Sequence, residues 1–191
     1  MTGGDHLRRA DERDHLVLPK YADVCAAAER LTGSAVRTPL LESPWLNERT
    51  GARLLIKAEP LQRTGSFKFR GAFNCISQID PRARALGVVA YSSGNHAQAV
   101  AAAARLHDIQ ATIVMPNDAP AVKVNGTRRY GADIVGYDRA TEIREEIAKH
   151  IAQEKGATLI RPYEDFNVIA GQGTVGLEIA AECRVRRIAP D

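Results

Sequence analysis

Between residues 87 and 161, short apolar runs alternate with longer segments of helical spacing, and few folds accommodate that order. A strand at 87–92 leads to an alanine-rich helix at 95–107. A strand at 111–115 leads to a helix at 119–130, a strand at 132–136 to a helix at 139–155, and a short strand at 157–161 closes the series. Strands alternating with helices at this pitch predict parallel βαβ units with right-handed crossovers. The expected fold class is therefore α/β with a parallel sheet. Upstream, Val24, Ala27, Ala28 and Leu31 fall at helical spacing before Gly33, and residues 53–58, with Leu54, Leu55 and Ile56 in a row, read as a buried strand. Ser66 opens a helix running to about Ile79, where Asp80-Pro81 stops it.

Two clusters at strand-to-helix positions carry the chemistry. The first is Ser66-Phe67-Lys68-Phe69-Arg70-Gly71-Ala72, with Lys68 at a helix start behind the turn Thr64-Gly65-Ser66, whose hydroxyl is placed to cap. A helix N-terminus carries about half a positive charge, so an ammonium there is disfavoured and its pKa falls. Such a lysine is a nucleophile toward carbonyl carbon. The chemistry that asks for it is Schiff-base formation with an aldehyde, above all pyridoxal phosphate. The second cluster, Ser92-Ser93-Gly94-Asn95-His96, sits at the next strand-to-helix turn, where free backbone N–H groups attract an anion and Gly94 permits a tight backbone. A solvated helix lysine and a plain turn serine are the bland alternatives for Lys68 and Ser93.

Glu59-Pro60-Leu61-Gln62-Arg63-Thr64-Gly65-Ser66-Phe67-Lys68-Phe69-Arg70-Gly71-Ala72 resembles the cofactor-lysine motif of the serine/threonine dehydratase and serine racemase family of fold type II pyridoxal-phosphate enzymes. Ser92-Ser93-Gly94-Asn95-His96-Ala97-Gln98-Ala99 resembles that family's second motif, and the resemblance runs from about Val36 to about Glu182. It implies that Lys68 holds pyridoxal phosphate. Phe67 would then stack on the ring or simply pack in the core, and Asn95 would donate to the ring hydroxyl, cap its helix, or do both. Ser92, Ser93, Gly94, Asn95 and His96 would bind the substrate carboxylate, with His96 a positioned polar residue rather than a base. In racemases of the family a serine matching Ser93 faces the α-carbon opposite the lysine, so Ser93 is a candidate second base.

The reaction implied is α,β-elimination of water from a hydroxy-amino acid such as threonine or serine. The freed lysine amine removes the α-proton, the ring stores the electrons until the β-hydroxyl leaves, and hydrolysis gives a 2-oxo acid and ammonia. Serine racemisation is the alternative enzyme. The resemblance also implies a small domain at 80–164 inserted in an incomplete large domain, 17–79 plus 165–191, and a homo-oligomer in full-length form. Family members continue through further strands and a glycine-rich phosphate loop, so a truncated, non-catalytic fragment is the alternative from another class. On that basis the 191 residues are expected to bind the cofactor weakly. The strand near 54–58 and the helix at 66–79 should show uncovered apolar faces.

Composition removes other classes. A net charge of +3 and 5% aromatic residues give no footing for nucleic acid. No apolar run reaches the roughly 20 residues of a membrane span. Cys25, Cys75 and Cys183 are widely spaced and read as reduced thiols of a cytoplasmic protein. The histidines make no ligand-like pairs, so no metal is expected. Residues 1–16, charged from Asp5 onward, read as a disordered tail rather than a signal peptide. Gly171-Gln172-Gly173-Thr174-Val175-Gly176 fits G-x-G-x-x-G, but Val168-Ile169-Ala170 is a poor preceding strand, which argues against a dinucleotide site.

Overall fold

The computed structural model describes residues 17–190; the tail expected over 1–16 lies outside the described residues. Helix α1 (Tyr21–Leu31) precedes an antiparallel pair, β1 (Leu40–Glu42) and β2 (Leu55–Lys57), with α2 (Pro44–Thr50) between them. A 3-10 turn at Glu59–Leu61 leads to α3 (Lys68–Ser77) and the short α4 (Pro81–Arg84). Then come β3 (Val88–Tyr91), α5 (Asn95–Leu106), β4 (Ala111–Pro116), α6 (Ala121–Arg129), β5 (Asp133–Tyr137), α7 (Arg144–Lys155), β6 (Thr158–Ile160) and α8 (Phe166–Val185).

The four later strands form one parallel sheet in the order β5-β4-β3-β6, as the alternation predicts. Strands β3 and β4 lie at its centre and are buried throughout, which is why they read as nearly continuous apolar runs. Side chains alternate across the sheet. Val88, Ala90, Ile113 and Met115 face α3 and α5, while Val89, Tyr91 and Val114 face Ala148 and Ala152 of α7. The result is a three-layer α/β/α unit.

Several boundaries differ from expectation. The helix expected over 139–155 begins at Arg144, because Asp138 and Glu142 build a turn first: Ala140 N donates to Asp138 Oδ1 at 2.8 Å and Asp138 N to Glu142 Oε2 at 2.6 Å. Asp80-Pro81 does stop the preceding helix, but it also starts α4, with Arg82 N donating to Asp80 Oδ1 at 2.8 Å. The strand at 53–58 is shorter and not buried, since Ile56 lies on an open face of the β1–β2 pair. Helix α3, by contrast, is covered. Phe69 and Ile76 are fully buried, and α3 packs on both α5 and α8 in one core that reaches Ile160 and Val168.

The G-x-G-x-x-G run lies inside α8 and serves that packing. A Cβ on Gly171 would fall 2.5 Å from the Arg70 carbonyl oxygen and 2.8 Å from Gly71 Cα; one on Gly71 would fall 2.7 Å from the Val168 carbonyl oxygen. Two helices cross backbone to backbone here, and only glycines allow it. The crossing sets the position of the helix that starts at Lys68.

Candidate active site

Lys68 is the first residue of α3, as the sequence predicts, but the helix is not capped by Ser66. Phe67 already has helical backbone angles, and it is the Ser66 carbonyl, not its hydroxyl, that accepts from Phe69 N at 3.4 Å. The Ser66 and Thr64 hydroxyls are buried without a partner among the described residues. Lys68 Nζ donates to the Pro162 carbonyl oxygen at 2.9 Å and lies 5.3 Å from the centre of the Phe67 ring. Its pKa is lowered, as expected, and the cause is half-burial of the ammonium. Phe67 is 41% exposed, so it is not core; its neighbour Phe69 is.

The second cluster forms the turn from β3 into α5. Gly94 N donates to Ser92 Oγ at 3.2 Å, so one of the amides expected to be free is taken. A Cβ on Gly94 would meet nothing nearer than Lys123 Cε at 4.0 Å, so the turn is open on that side. The amides that open α5 have no acceptor within the helix and remain suited to an anion. Ser93 is half-buried beside them. Asn95 does not cap the helix; its Oδ1 accepts from Lys123 Nζ at 2.7 Å.

His96 is 3% exposed, with Nε2 at 3.3 Å from the Ile160 carbonyl oxygen. A carbonyl only accepts, so Nε2 carries the proton and Nδ1 is an acceptor, buried and without a partner among the described residues. Burial pushes its pKa down to about 4, helped by the Lys68 charge and opposed by the Ile160 hydrogen bond. A ring this reluctant to take a proton is a positioned polar residue and a poor base. The end of β6 and the segment just after it therefore gather both clusters: Ile160 holds His96 and Pro162 holds Lys68.

The same shift gives a measurable pH dependence. His96 is neutral when folded and titrates near its ordinary value, about 6.5, when unfolded, so the unfolded chain binds more protons in between. Stability from this group is fully present above about pH 6.5 and is lost as pH falls toward 4, by up to about 3 kcal/mol. His107, lowered by burial and by Arg84, acts in the same direction, so the His96 share is isolated by difference. Urea unfolding of His96→Gln should show a flatter profile from pH 6.5 to 4.5 than the wild type; parallel profiles would show that His96 is not the group responsible.

Arg70 is the site residue to which sequence reasoning assigned no role. It is 1% exposed, two residues beyond Lys68, and its guanidinium grips Glu59 through Nε at 3.0 Å and Nη2 at 2.8 Å. It also holds Glu178 at 2.7 Å, and Lys57 holds the same carboxylate at 2.5 Å. Burial alone would raise the Glu178 pKa, but hydrogen bonds from Arg70 and Lys57 outweigh it and lower it. Lys123 is the other residue missed. A cleft of about 770 Å³ lined by Arg63, Thr64, Gln98, Asn125 and Tyr130 does not include Lys68. Among the described residues, no three His, Cys, Asp or Glu side chains gather to hold a metal ion, and no helix is long and apolar enough to cross a membrane.

An amine lowered by burial, an aromatic face beside it, and helix amides and a carboxamide on the adjoining turn suit an anionic aromatic aldehyde. A family model described as pyridoxal-phosphate dependent enzyme matches residues 31–190. The chain belongs to that family. It is 58% identical over 162 residues to an L-threo-3-hydroxyaspartate ammonia-lyase from Pseudomonas sp, covering 85% of this chain and 51% of that protein. It is 46% identical over 169 residues to a serine racemase from Schizosaccharomyces pombe, covering 88% and 52%. Among solved structures, a T.th. threonine deaminase superposes with a TM-score of 0.82 at 45% identity, covering 90% of this chain and 54% of that one. The chain thus spans about half the length of the curated relatives it matches. Its architecture is that of fold type II pyridoxal-phosphate enzymes, and its relatives are ammonia-lyases and racemases.

Proposed function

We propose that the protein removes water from a hydroxy-amino acid, such as L-threonine or L-serine, to give a 2-oxo acid and ammonia. The observation that carries this is Lys68, a half-buried amine with a lowered pKa, held by Pro162 two residues beyond Ile160, which holds His96. Lys68 would hold pyridoxal phosphate, with Phe67 against its ring and Asn95 donating to its ring oxygen. The bound cofactor supplies an electron sink for charge developing at the substrate's α-carbon.

The chain's own residues do the rest. The turn from Ser92 to His96 binds the substrate carboxylate with amides at the start of α5, which offer N–H donors and the positive end of the helix dipole. Burial raises the fraction of Lys68 that is neutral, so Nζ takes the α-proton, and the Pro162 carbonyl then receives the ammonium formed. His96, neutral and buried, adds no positive charge to oppose protonation of Lys68.

A second reading is racemisation, favoured by the 46% identity to a serine racemase and by Ser93 at the matching turn. The assay is 2-oxo acid release from L-threonine, L-serine and L-threo-3-hydroxyaspartate by the protein with added pyridoxal phosphate. Release from any of them supports the lyase. D-serine from L-serine, lost in Ser93→Ala while elimination survives, would make it a racemase. Neither product would favour a non-catalytic role.

A further inference from the structure

Lys123 reaches from α6 across to the first residue of α5, where its Nζ donates to Asn95 Oδ1 at 2.7 Å. Its backbone is well anchored. Lys123 N donates to the Pro120 carbonyl at 2.8 Å, and its own carbonyl accepts from Thr127 Oγ1 at 2.9 Å. The two helices approach closely at Gly126, where a Cβ would fall 2.4 Å from Gln98 Nε2. Lys123 is therefore delivered to Asn95 by packed backbone rather than by a loop.

The chemistry of this contact is one-sided. An ammonium has only donors, so the Asn95 atom it touches must be the carbonyl oxygen. A carboxamide is otherwise nearly symmetric in shape, and its two orientations differ only in which atom faces which partner. With Oδ1 held by Lys123, the two N–H groups of Nδ2 are left to donate elsewhere. A charge-assisted bond at the oxygen also polarises the amide, which strengthens those donors.

We infer that Lys123 is a positioning residue: it fixes the Asn95 carboxamide with its NH2 turned to donate, selecting the ionised ring oxygen of the cofactor. The inference rests on the reading that Asn95 faces that oxygen. Without Lys123, the amide would also populate the flipped orientation and present an oxygen lone pair to an oxygen anion, which is repulsive.

The test uses the 191-residue chain as wild type, Lys123→Met and Lys123→Arg. Nitrogen-15 NMR of the Asn95 side-chain amide comes first, without cofactor. Lys123→Met should shift that resonance, and Lys123→Arg, which keeps a cation of similar reach, should restore it; an unmoved resonance in Lys123→Met overturns the inference. Absorption spectra with added pyridoxal phosphate come second. Lys123→Met should lower the visible form, with ionised ring oxygen, relative to the near-ultraviolet form by roughly fivefold, the weight of one hydrogen bond, with recovery in Lys123→Arg. Identical spectra overturn the assignment to the ring oxygen. If the wild type takes up no cofactor, it is the cofactor reading of Asn95 that fails, while the amide resonance still decides whether Lys123 orients it.

Discussion

Replacing Arg70 with leucine should destabilise the fold by about 3–5 kcal/mol, the range seen when one partner is removed from a buried ion pair. Its Nε and Nη2 form a fork on Glu59, Nη1 and Nη2 reach Glu178, Nη1 also reaches Thr174 Oγ1 at 3.3 Å, and Nη2 reaches the Val36 carbonyl at 3.1 Å. Burial works against the Arg70 charge, but the hydrogen bonds it donates to Glu59 and Glu178 outweigh it and raise the pKa. Leucine fills part of the volume and leaves Glu59 with only the Thr38 hydroxyl, at 2.6 Å, and Glu178 with only Lys57. Glu178 would then keep a cation and Glu59 none. Arg70→Lys keeps the charge but not the fork, so it should fall between the two. Adding Glu59→Gln and Glu178→Gln to Arg70→Leu should recover part of the loss, because the penalty is for unpaired charge and not for missing area. Urea unfolding of the four proteins measures this. A leucine variant within about 1 kcal/mol of wild type, the scale of an exposed pair, would show that the network is not buried in solution.

That network also marks what could and could not be seen from the chain alone. The parallel sheet was legible because β3 and β4 are buried on both faces and are apolar throughout but for Thr112. Lys68, Asn95 and His96 were legible because local motifs place each at a helix start. β1 was missed because three residues, Leu40–Glu42, give no period, and its partner β2 looked buried only because Leu54, Leu55 and Ile56 stand in a row. Arg70 and Glu178 lie 108 positions apart, and nothing local in either announces the other. The Gly71–Gly171 crossing is hidden for the same reason. The glycines are visible in the sequence, yet which backbone each admits depends on how α3 and α8 meet. The cause of the Lys68 shift belongs here too. A helix start can be read from sequence, whereas half-burial follows from the segment after β6 folding back over the amine.

Lys68→Ala should abolish the preferred covalent capture of pyridoxal phosphate by this chain. Only a neutral amine attacks an aldehyde, and an exposed lysine near its ordinary pKa of about 10.4 is almost wholly charged at pH 7. Burial lowers the Lys68 pKa, and each unit of lowering multiplies its neutral fraction about tenfold. The Pro162 carbonyl holds the nitrogen in place, which favours one lysine further over the others. Borohydride treatment of the wild-type chain with limiting cofactor, followed by peptide mass analysis, should therefore place the label on Lys68. Lys68→Ala and Lys68→Arg should both lose it, because the arginine keeps the charge but offers no neutral nitrogen at this pH. The fold should survive either change, since among the described residues the side chain makes a single hydrogen bond, worth about 1 kcal/mol. A label that persists at another position in Lys68→Ala, at the wild-type rate, would move the reactive amine elsewhere and leave Lys68 as an ordinary helix lysine. Raising the pH should close the gap between Lys68 and the exposed lysines, because they gain neutral amine as Lys68 approaches saturation. A selectivity that stays constant up to about pH 10 would locate it in position alone rather than in the burial of the ammonium.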